Sequence, residues 1–417
     1  MANSLLKELL QPSMEQYEEA TTGYGIDTIE YASLEMMEAA AEVDRHEQAA
    51  AELQEISAGL ESISESMTAS LEQGGMDPVA AQFAHHAVGA YTERLGIEAA
   101  DQLPALESFG GDTGRQSSTE VSLESIGETM CKVFEASRRA IEAVIKSVAD
   151  FFSKLFSNAE KLQKAVGVTL KKVKDAKGSP SGKTRVPNGD TLAYQGKLDM
   201  GSVTTGLDKT RSVYNVMSTE YLAAVTKGKK EAAQVLGNLA PADTTDEFKK
   251  AFEVLLNYDK ELKTASMKAQ GEISGGRTIS IEEKGEGDDA YTETVFTKAD
   301  KEKKPSSYEI DTPNRADLIK MLEVAQKIAG DLKDSKKNID NAVGVYREVH
   351  KVTDKLNKDA KGGKLGKAWA DAKARRAVNR ASRNVVRPVQ QLSHHCWSVT
   401  RSAVSMAEAS LKNYKSE

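Results

Sequence analysis

The sequence predicts an all-α protein of long packed helices, with a small β-hairpin insertion and a separate acidic helical part at the N-terminus. Three observations predict it. Apolar residues recur at three- and four-residue spacing through most of the 417 residues, the spacing that places them on one helix face. Aromatic residues are only 6% of the chain, so Ala and Ser must fill the gaps between helices. Strict alternation of polar and apolar residues is confined to one segment.

The acidic part spans residues 1–107 and contains two predicted helices. Residues 28–72 keep the helical period and end at Gly74-Gly75. The second helix begins with Asp77 as the N-cap and Pro78 in the first turn, and it ends near Gly96. Residues 108–124 are rich in Gly, Ser and Thr without periodicity, which predicts a linker between the acidic part and the rest of the chain.

The rest of the chain, the body, divides into four predicted segments. Residues 125–176 are an amphipathic helix or helix pair, and 177–270 are a loop followed by helices, with a short strand at 191–199. Residues 271–312 alternate around a Gly-rich turn and predict the β-hairpin insertion. The C-terminal basic helical segment, 313–417, contains a long helix from Arg315 and a last helix at 388–414.

Charge divides the chain at the same boundary. Residues 1–107 hold 21 Asp or Glu against three Lys or Arg, a net charge of −18. The remaining 42 acids and 53 bases give residues 108–417 a net charge of +11. Such asymmetry indicates two parts with different fates or partners. An ordinary acidic helical domain is the alternative interpretation.

The composition excludes several classes of protein. Two cysteines, Cys131 and Cys396, make no disulfide framework, which is typical of a reducing cytoplasm. The N-terminus lacks the pattern of a secretion signal, and no apolar run is long enough to span a bilayer. We therefore expect a soluble protein made in a reducing cytoplasm.

No catalytic, cofactor-binding or metal-binding residues are predicted. The segment GSPSGKT (178–184) has one residue too few for a phosphate-binding loop and follows a predicted helix instead of a strand. His394-His395-Cys396 and His85-His86 are adjacent residues that point in different directions on a helix, so they predict core or surface positions. Zinc-protease, serine-hydrolase and dinucleotide-binding motifs are all missing from the sequence, which favours a protein that is not an enzyme.

A basic cluster near the C-terminus could contact nucleic-acid phosphates without reading their sequence. Its one acidic residue is Asp371, and a solvated helix face is an equally good interpretation. The cluster consists of Lys364, Lys367, Lys373, Arg375, Arg376, Arg380, Arg383 and Arg387.

An apolar stripe between Phe134 and Phe156, flanked by Lys and Arg, could lie on a membrane surface. Burial against neighbouring helices explains the same spacing and is the favoured interpretation.

The order of these parts resembles the internal head, or inner-body, proteins of large tailed myophages. An acidic helical leader and a linker precede STEVSLESIGETMCKVFEASRRAIEAVIKSVADFFSKLF, and the basic body ends in VTRSAVSMAEASLKNYK. The resemblance implies that a prohead protease removes the leader as a propeptide. In that family the cut follows a glutamate that has Ala or Ser two residues before it.

Three such tripeptides lie at the predicted junction, and Ser33-Leu34-Glu35 and Ser218-Thr219-Glu220 also fit the pattern. Because a protease needs an exposed, extended chain, we expect cleavage at the junction, with Glu107 the first choice and Ser108 the new N-terminus. The junction candidates are Ala105-Leu106-Glu107, Ser118-Thr119-Glu120 and Ser122-Leu123-Glu124.

The resemblance implies a structural protein inside the virion capsid, with the prohead protease, capsid or scaffold proteins and packaged DNA as its partners, and ejection into the host as a further step. Two other functions stay open. One is a membrane-active amphipathic helical protein. The other is a nucleic-acid-binding accessory protein that is never cleaved.

Overall fold

A computed structural model describes residues 26–96, 103–237, 260–284, 291–297, 305, 307–361 and 386–415. The predicted all-α architecture of long packed helices with a small β-hairpin is confirmed, and two further small sheets accompany the hairpin in the described residues. The described chain forms two compact units, one of residues 43–147 and one of residues 26–42 and 148–415. Each unit is described by itself.

Ten α-helices account for most of the described residues. A 3-10 turn at Leu106–Phe109 precedes α3, and a π turn at Met217–Tyr221 joins α5 to α6. The helices are α1 Ile26–Leu71, α2 Pro78–Leu95, α3 Asp112–Asp175, α4 Gly189–Leu192, α5 Met200–Val216, α6 Leu222–Gly237, α7 Lys260–Ala269, α8 Arg315–Asp334, α9 Lys336–Lys361 and α10 Arg387–Leu411.

Within the described residues, seven short strands form three antiparallel sheets. The largest has the order β3-β4-β5 and contains the predicted hairpin, in which Ile279 pairs with Phe296. The other two join residues far apart in sequence, β1 to β7 and β2 to β6. The strands are β1 Ser179–Pro180, β2 Lys183–Arg185, β3 Gly271–Ile273, β4 Arg277–Lys284, β5 Tyr291–Thr297, β6 Glu309–Asp311 and β7 Tyr414–Lys415.

The first unit packs the second part of α1, all of α2 and the first part of α3. The predicted N-cap of α2 is confirmed, since the Asp77 carboxylate accepts hydrogen bonds from the backbone N–H groups of Val79 and Ala80 at 2.9 and 2.8 Å. The α2 helix ends at Gly96, whose φ of 67° is in the left-handed region that glycine adopts readily.

The second unit is built around α10, which is buried along most of its length. Helices α5 and α8 pack against α10 and against each other. Their contact includes a buried hydrogen bond of 2.7 Å between the hydroxyls of Tyr214 and Ser335 and an ion pair of 2.7 Å between Arg211 and Asp331. The trailing part of α9 packs against α6, where Ala233, Val345 and Val349 form a small apolar cluster.

Three local predictions differ from the structure. Residues 112–124 are helical, not a linker, because α3 begins at Asp112 and gains tertiary packing that its Gly and Ser content does not suggest. Residues 191–199 contain the end of α4 and an isolated bridge between Tyr194 and Lys197 instead of a strand. The predicted loop at 177–190 contains β1, β2 and the start of α4, and the two strands find their partners more than 100 residues away.

Two predicted helices differ in their bounds from the helices of the structure. The long helix from Arg315 is divided at Ser335 into α8 and α9, where the Ser335 hydroxyl donates to the Leu332 carbonyl at 2.8 Å. Of the helix predicted at 241–270, only the part from Lys260 lies within the described residues, and there it is α7.

Candidate processing site

Glu107 lies in a single 3-10 turn between α2 and α3. The Ser108 N–H donates to the Ala105 carbonyl at 2.9 Å, and the Gly110 N–H donates to the Glu107 carbonyl at 3.2 Å. The side chains of Ala105, Leu106, Glu107 and Ser108 are all exposed. The scissile bond predicted from the sequence therefore lies at the surface, in a turn held by few backbone hydrogen bonds.

The turn is anchored on its C-terminal side. The ring of Phe109 is buried and meets the His85 ring edge-on, with centroids 5.9 Å apart. Burial and the neighbouring His86 lower the pKa of His85, which favours an uncharged ring beside Phe109. The Ser118 hydroxyl donates to the Ser108 carbonyl at 3.1 Å. These contacts fix the residues just after Glu107 while the residues before it stay exposed.

The other two junction candidates lie within α3. Ser118, Thr119 and Ser122 are buried. The Thr119 hydroxyl accepts from the Met76 N–H at 2.9 Å and donates to the Arg115 carbonyl at 2.7 Å. A protease that cuts after Glu120 or after Glu124 must first unwind this helix, because it binds its substrate as an extended chain. The geometry favours Glu107.

The two remote tripeptides are protected in a similar way. Ser33 is buried within α1, and Ser218 is buried in the π turn. Glu220 forms an ion pair of 2.6 Å with Lys268. The tripeptide pattern marks these five positions, among others in the chain that also fit it, but it does not indicate that four of the five are protected. A signal was present in the helical spacing of Ser118, Ser122, Ile126 and Thr129, a row of small or apolar residues that is buried along α3.

A family model of phiKZ-like phage internal head proteins matches residues 31–409. The chain belongs to this family. Comparisons with curated proteins and with solved structures found no match. The match covers both the acidic leader and the body. It establishes the chain as a structural internal head protein, located inside the phage capsid, as the sequence predicted.

The basic cluster of this internal head protein lies almost entirely outside the described residues. The exception is Arg387, an exposed residue in the first turn of α10. The structure therefore does not test whether the eight basic side chains form one surface, and nucleic-acid contact stays a prediction.

The apolar stripe proposed for membrane contact is buried in the folded protein. Phe152 stacks on Phe156 with ring centroids 6.1 Å apart, and the Lys336 ammonium lies 5.9 Å from the Phe156 ring centroid. Among the described helices, none is both long and apolar enough to cross a membrane. The side chain of Phe134 lies outside the described residues, and the buried members of the stripe are Ile141, Val144, Ile145, Val148, Phe151, Phe152 and Leu155.

Of the three residues His394-His395-Cys396 in α10, His395 and Cys396 are parts of the core and His394 is half-buried. His395 lies beside the Phe296 ring with centroids 5.7 Å apart, and burial together with the charge of Arg277 lowers its pKa to about 3. Cys396 is buried, which raises the pKa of its thiol. Within the described part of the chain, no three His, Cys, Asp or Glu side chains are placed to hold a metal ion.

The glycine-rich segment 178–184 runs through β1 and into β2. Ser179–Pro180 pairs with Tyr414–Lys415, and Lys183 pairs with Asp311. The backbone of this segment is thus engaged in strand pairing and does not form a phosphate-binding loop in front of a helix.

Proposed function

We propose that this structural internal head protein is made as a precursor, enters the head together with the genome, and is cut by the prohead protease after Glu107. The observation that carries the position of the cut is the exposed 3-10 turn at Leu106–Phe109, because the other junction candidates are held in α3. Residues 1–107 carry a net charge of −18 and residues 108–417 carry +11, and this difference supports cleavage at the bond between them.

The first experiment is mass spectrometry of the protein from purified particles, which defines its N-terminus. The proposal predicts a start at Ser108. A start at Val121 or Ser125 would retain processing but move the cut to Glu120 or Glu124. A start at Met1 or Ala2 would contradict processing and leave the acidic part as a permanent domain.

Substitution of Gln for each of the three junction glutamates tests which bond is cut. Glu107→Gln keeps the size and exposure of the side chain but removes its charge, so we expect it to abolish the Ser108 start. Glu120→Gln and Glu124→Gln are the controls, since each makes the same chemical change within α3 and should leave the Ser108 start unchanged. Equal cleavage of the Glu107→Gln chain would show that the protease recognises another bond.

For the body we propose non-specific contact with packaged DNA through the basic cluster, without enzymatic activity. Binding of this kind weakens steeply with salt, by a slope of about 0.9 in log K per log salt for each phosphate contact. Replacing Lys373, Arg375 and Arg376 with Gln in the processed protein should reduce that slope by about 3. Replacing the exposed Lys171 and Lys174 of α3 with Gln is the control, and an equal reduction of the slope per removed charge would show that charge alone matters.

A further inference from the structure

Both compact units contain chain from both sides of Glu107. The first unit combines residues 43–107 with residues 108–147, and the second combines residues 26–42 with residues 148–415. A cut after Glu107 therefore breaks the covalent connection without falling at a boundary between units. In the uncut chain, the leader and the body are packed on each other in each of the two units.

The attachment in the second unit is the first part of α1. Its apolar face is buried: Ile29 is 4% exposed and Met36 is 0% exposed. The next residue, Met37, is 48% exposed, so one face of the helix enters the core and the other faces solvent. The buried apolar residues of this segment are Ile29, Ala32, Met36, Ala39 and Ala40.

Polar contacts fix this segment to the body. The Trp397 indole N–H donates to the Ser33 hydroxyl at 3.1 Å, and both side chains are buried. The Asn158 amide donates to the Glu35 carboxylate at 3.1 Å. Loss of the segment would remove the acceptor of the Trp397 N–H and expose apolar surface that is now buried, which is unfavourable in water.

The attachment in the first unit joins the start of α3 to the loop before α2. The Met76 N–H donates to the Thr119 hydroxyl. Gly75 lies so close to α3 that a Cβ atom there would be 2.5 Å from the Arg115 carbonyl carbon. The buried Phe109, which follows the cut, lies against His85, which precedes it.

We propose that the leader stays bound to the body after the cut, so that processing converts one chain into a non-covalent complex of two. The identity of the bond rests on the proposed function. The attachment of residues 26–42 to the body does not depend on which junction bond is cut, whereas the named contacts of the first unit join leader to body only for the cut after Glu107. The complex keeps the formal charge of −7, and the body gains its charge of +11 only when the leader is extracted or degraded. Release of the leader is therefore the step that gives the body its net positive charge.

An engineered cut in the full chain tests the retention directly. The recognition sequence of a site-specific protease is inserted between Gly110 and Gly111, which are both exposed; a Cβ atom at Gly111 would have no atom within 4 Å. After complete cleavage, native mass spectrometry and size-exclusion chromatography should show one species containing both fragments. Separate elution of the fragment that ends at Gly110 would overturn the proposal.

Adjacent methionines provide the matched variants. In the cut protein with Trp369→Phe, Trp397 fluorescence reports whether residues 26–42 are in place. We expect Met36→Asp to lower the urea concentration at which the emission shifts to the red, and Met37→Asp to leave it unchanged. Ser33→Ala is the milder variant if Met36→Asp fails to fold, and it should shift the midpoint in the same direction. Equal midpoints for Ser33→Ala, Met37→Asp and the parent would overturn the attachment.

The engineered cut and the mass spectrometry of particles test separate proposals, so their negative results can be distinguished. An intact N-terminus in particles would contradict processing after Glu107 but would not affect whether the engineered fragments stay together. Separation of the engineered fragments would contradict retention and leave processing after Glu107 untouched.

Discussion

The two compact units are stabilised in different ways. The second unit buries large aromatic side chains, Trp397, Tyr214, Tyr221 and the edge-to-face pair Phe151 and Phe152. The first unit buries Phe109 with aliphatic side chains such as Leu53, Ile56 and Leu60. Its helices also approach closely at glycines: a Cβ atom at Gly59 would be 2.2 Å from the Tyr91 ring.

This difference predicts that the two units respond in opposite ways to substitutions that change side-chain volume. Removing volume should destabilise the second unit most, because a large cavity forms where an aromatic anchor was. Adding volume should be most damaging in the first unit, where backbone and ring atoms already occupy the space beside glycine. The predictions below compare the two units from the largest expected effect to the smallest, and Trp397→Ala and Gly75→Ala test this contrast directly.

Trp397→Ala should lower the free energy of unfolding by about 3–5 kcal/mol, the usual cost of deleting a buried aromatic side chain. The change also removes the donor to Ser33. Urea denaturation followed by circular dichroism measures it. Tyr31→Ala is the control, since Tyr31 is 50% exposed, and a comparable loss in that variant would contradict the importance of the buried anchor.

His395 should make the second unit sensitive to acid. Its pKa is about 3 in the folded protein, below the ordinary 6.5, so the unfolded chain binds a proton first as pH falls. Stability is therefore present above pH 6.5 and is lost as pH falls towards 3, by about 3 kcal/mol between pH 6.5 and pH 4.

The measurement for His395 is the difference in pH dependence between the parent and His395→Leu. In His395→Leu, the free energy of unfolding should lose the part of its pH dependence that His395 contributes. In His86→Leu, a change at an exposed residue, the free energy of unfolding should keep that pH dependence. Identical profiles for the parent and His395→Leu would show that the ring is not buried in its neutral form.

Gly75→Ala should destabilise the first unit by about 2 kcal/mol or more, since it combines a left-handed backbone with a steric clash. Gly75 has φ +98° and lies against the Arg115 backbone. Gly74 is the matched control, with φ +94° and nothing within 4 Å of a Cβ atom. Gly74→Ala should cost about 1 kcal/mol, and equal melting temperatures would contradict the close approach.

The smallest effects concern helix caps, one in each unit. Asp77→Ala removes the acceptor of two backbone N–H groups in the first unit, and Asn314→Ala removes the acceptor of the Asp317 N–H at 2.9 Å in the second. Each should cost about 1 kcal/mol by thermal unfolding. Asp77→Asn keeps a capping acceptor and should change the stability little. A loss of stability as large as that of Asp77→Ala would show that the charge of Asp77, and not its hydrogen bonds, stabilises the helix.

The features that the sequence predicted correctly have local signals. Asp77-Pro78 and Gly96 mark the ends of α2, and the alternation in β4 and β5 marks the hairpin. The apolar period predicted α1, α8 and α10 because each buries a face along its length.

The features that were missed depend on contacts far apart in sequence. Strand pairing of Ser179–Pro180 with Tyr414–Lys415 cannot be read from either segment alone. The helical start of α3 depends on burial of Ser118 and Ser122, polar residues that otherwise indicate a loop. At the junction, the tripeptide pattern identified Glu107, but only the fold distinguishes its exposed turn from the helical sites at Glu120 and Glu124.

The π turn at Met217–Tyr221 sets the rotational phase of α6. Such a turn holds one residue more than an α-helical turn, and the Asn338 side chain donates to the Ser218 carbonyl at 3.0 Å within it. Deleting the exposed Thr219 would let this turn close into a regular α-helix, because the wider turn already absorbs the extra residue. The residues of α6 beyond the turn would then keep their rotational positions, and Ala233 would still face Val345 and Val349 of α9. Deleting one residue from the regular part of α6 would instead rotate all later residues by about 100° around the helix axis, so the π turn is the place where this helix can change its length without losing its packing.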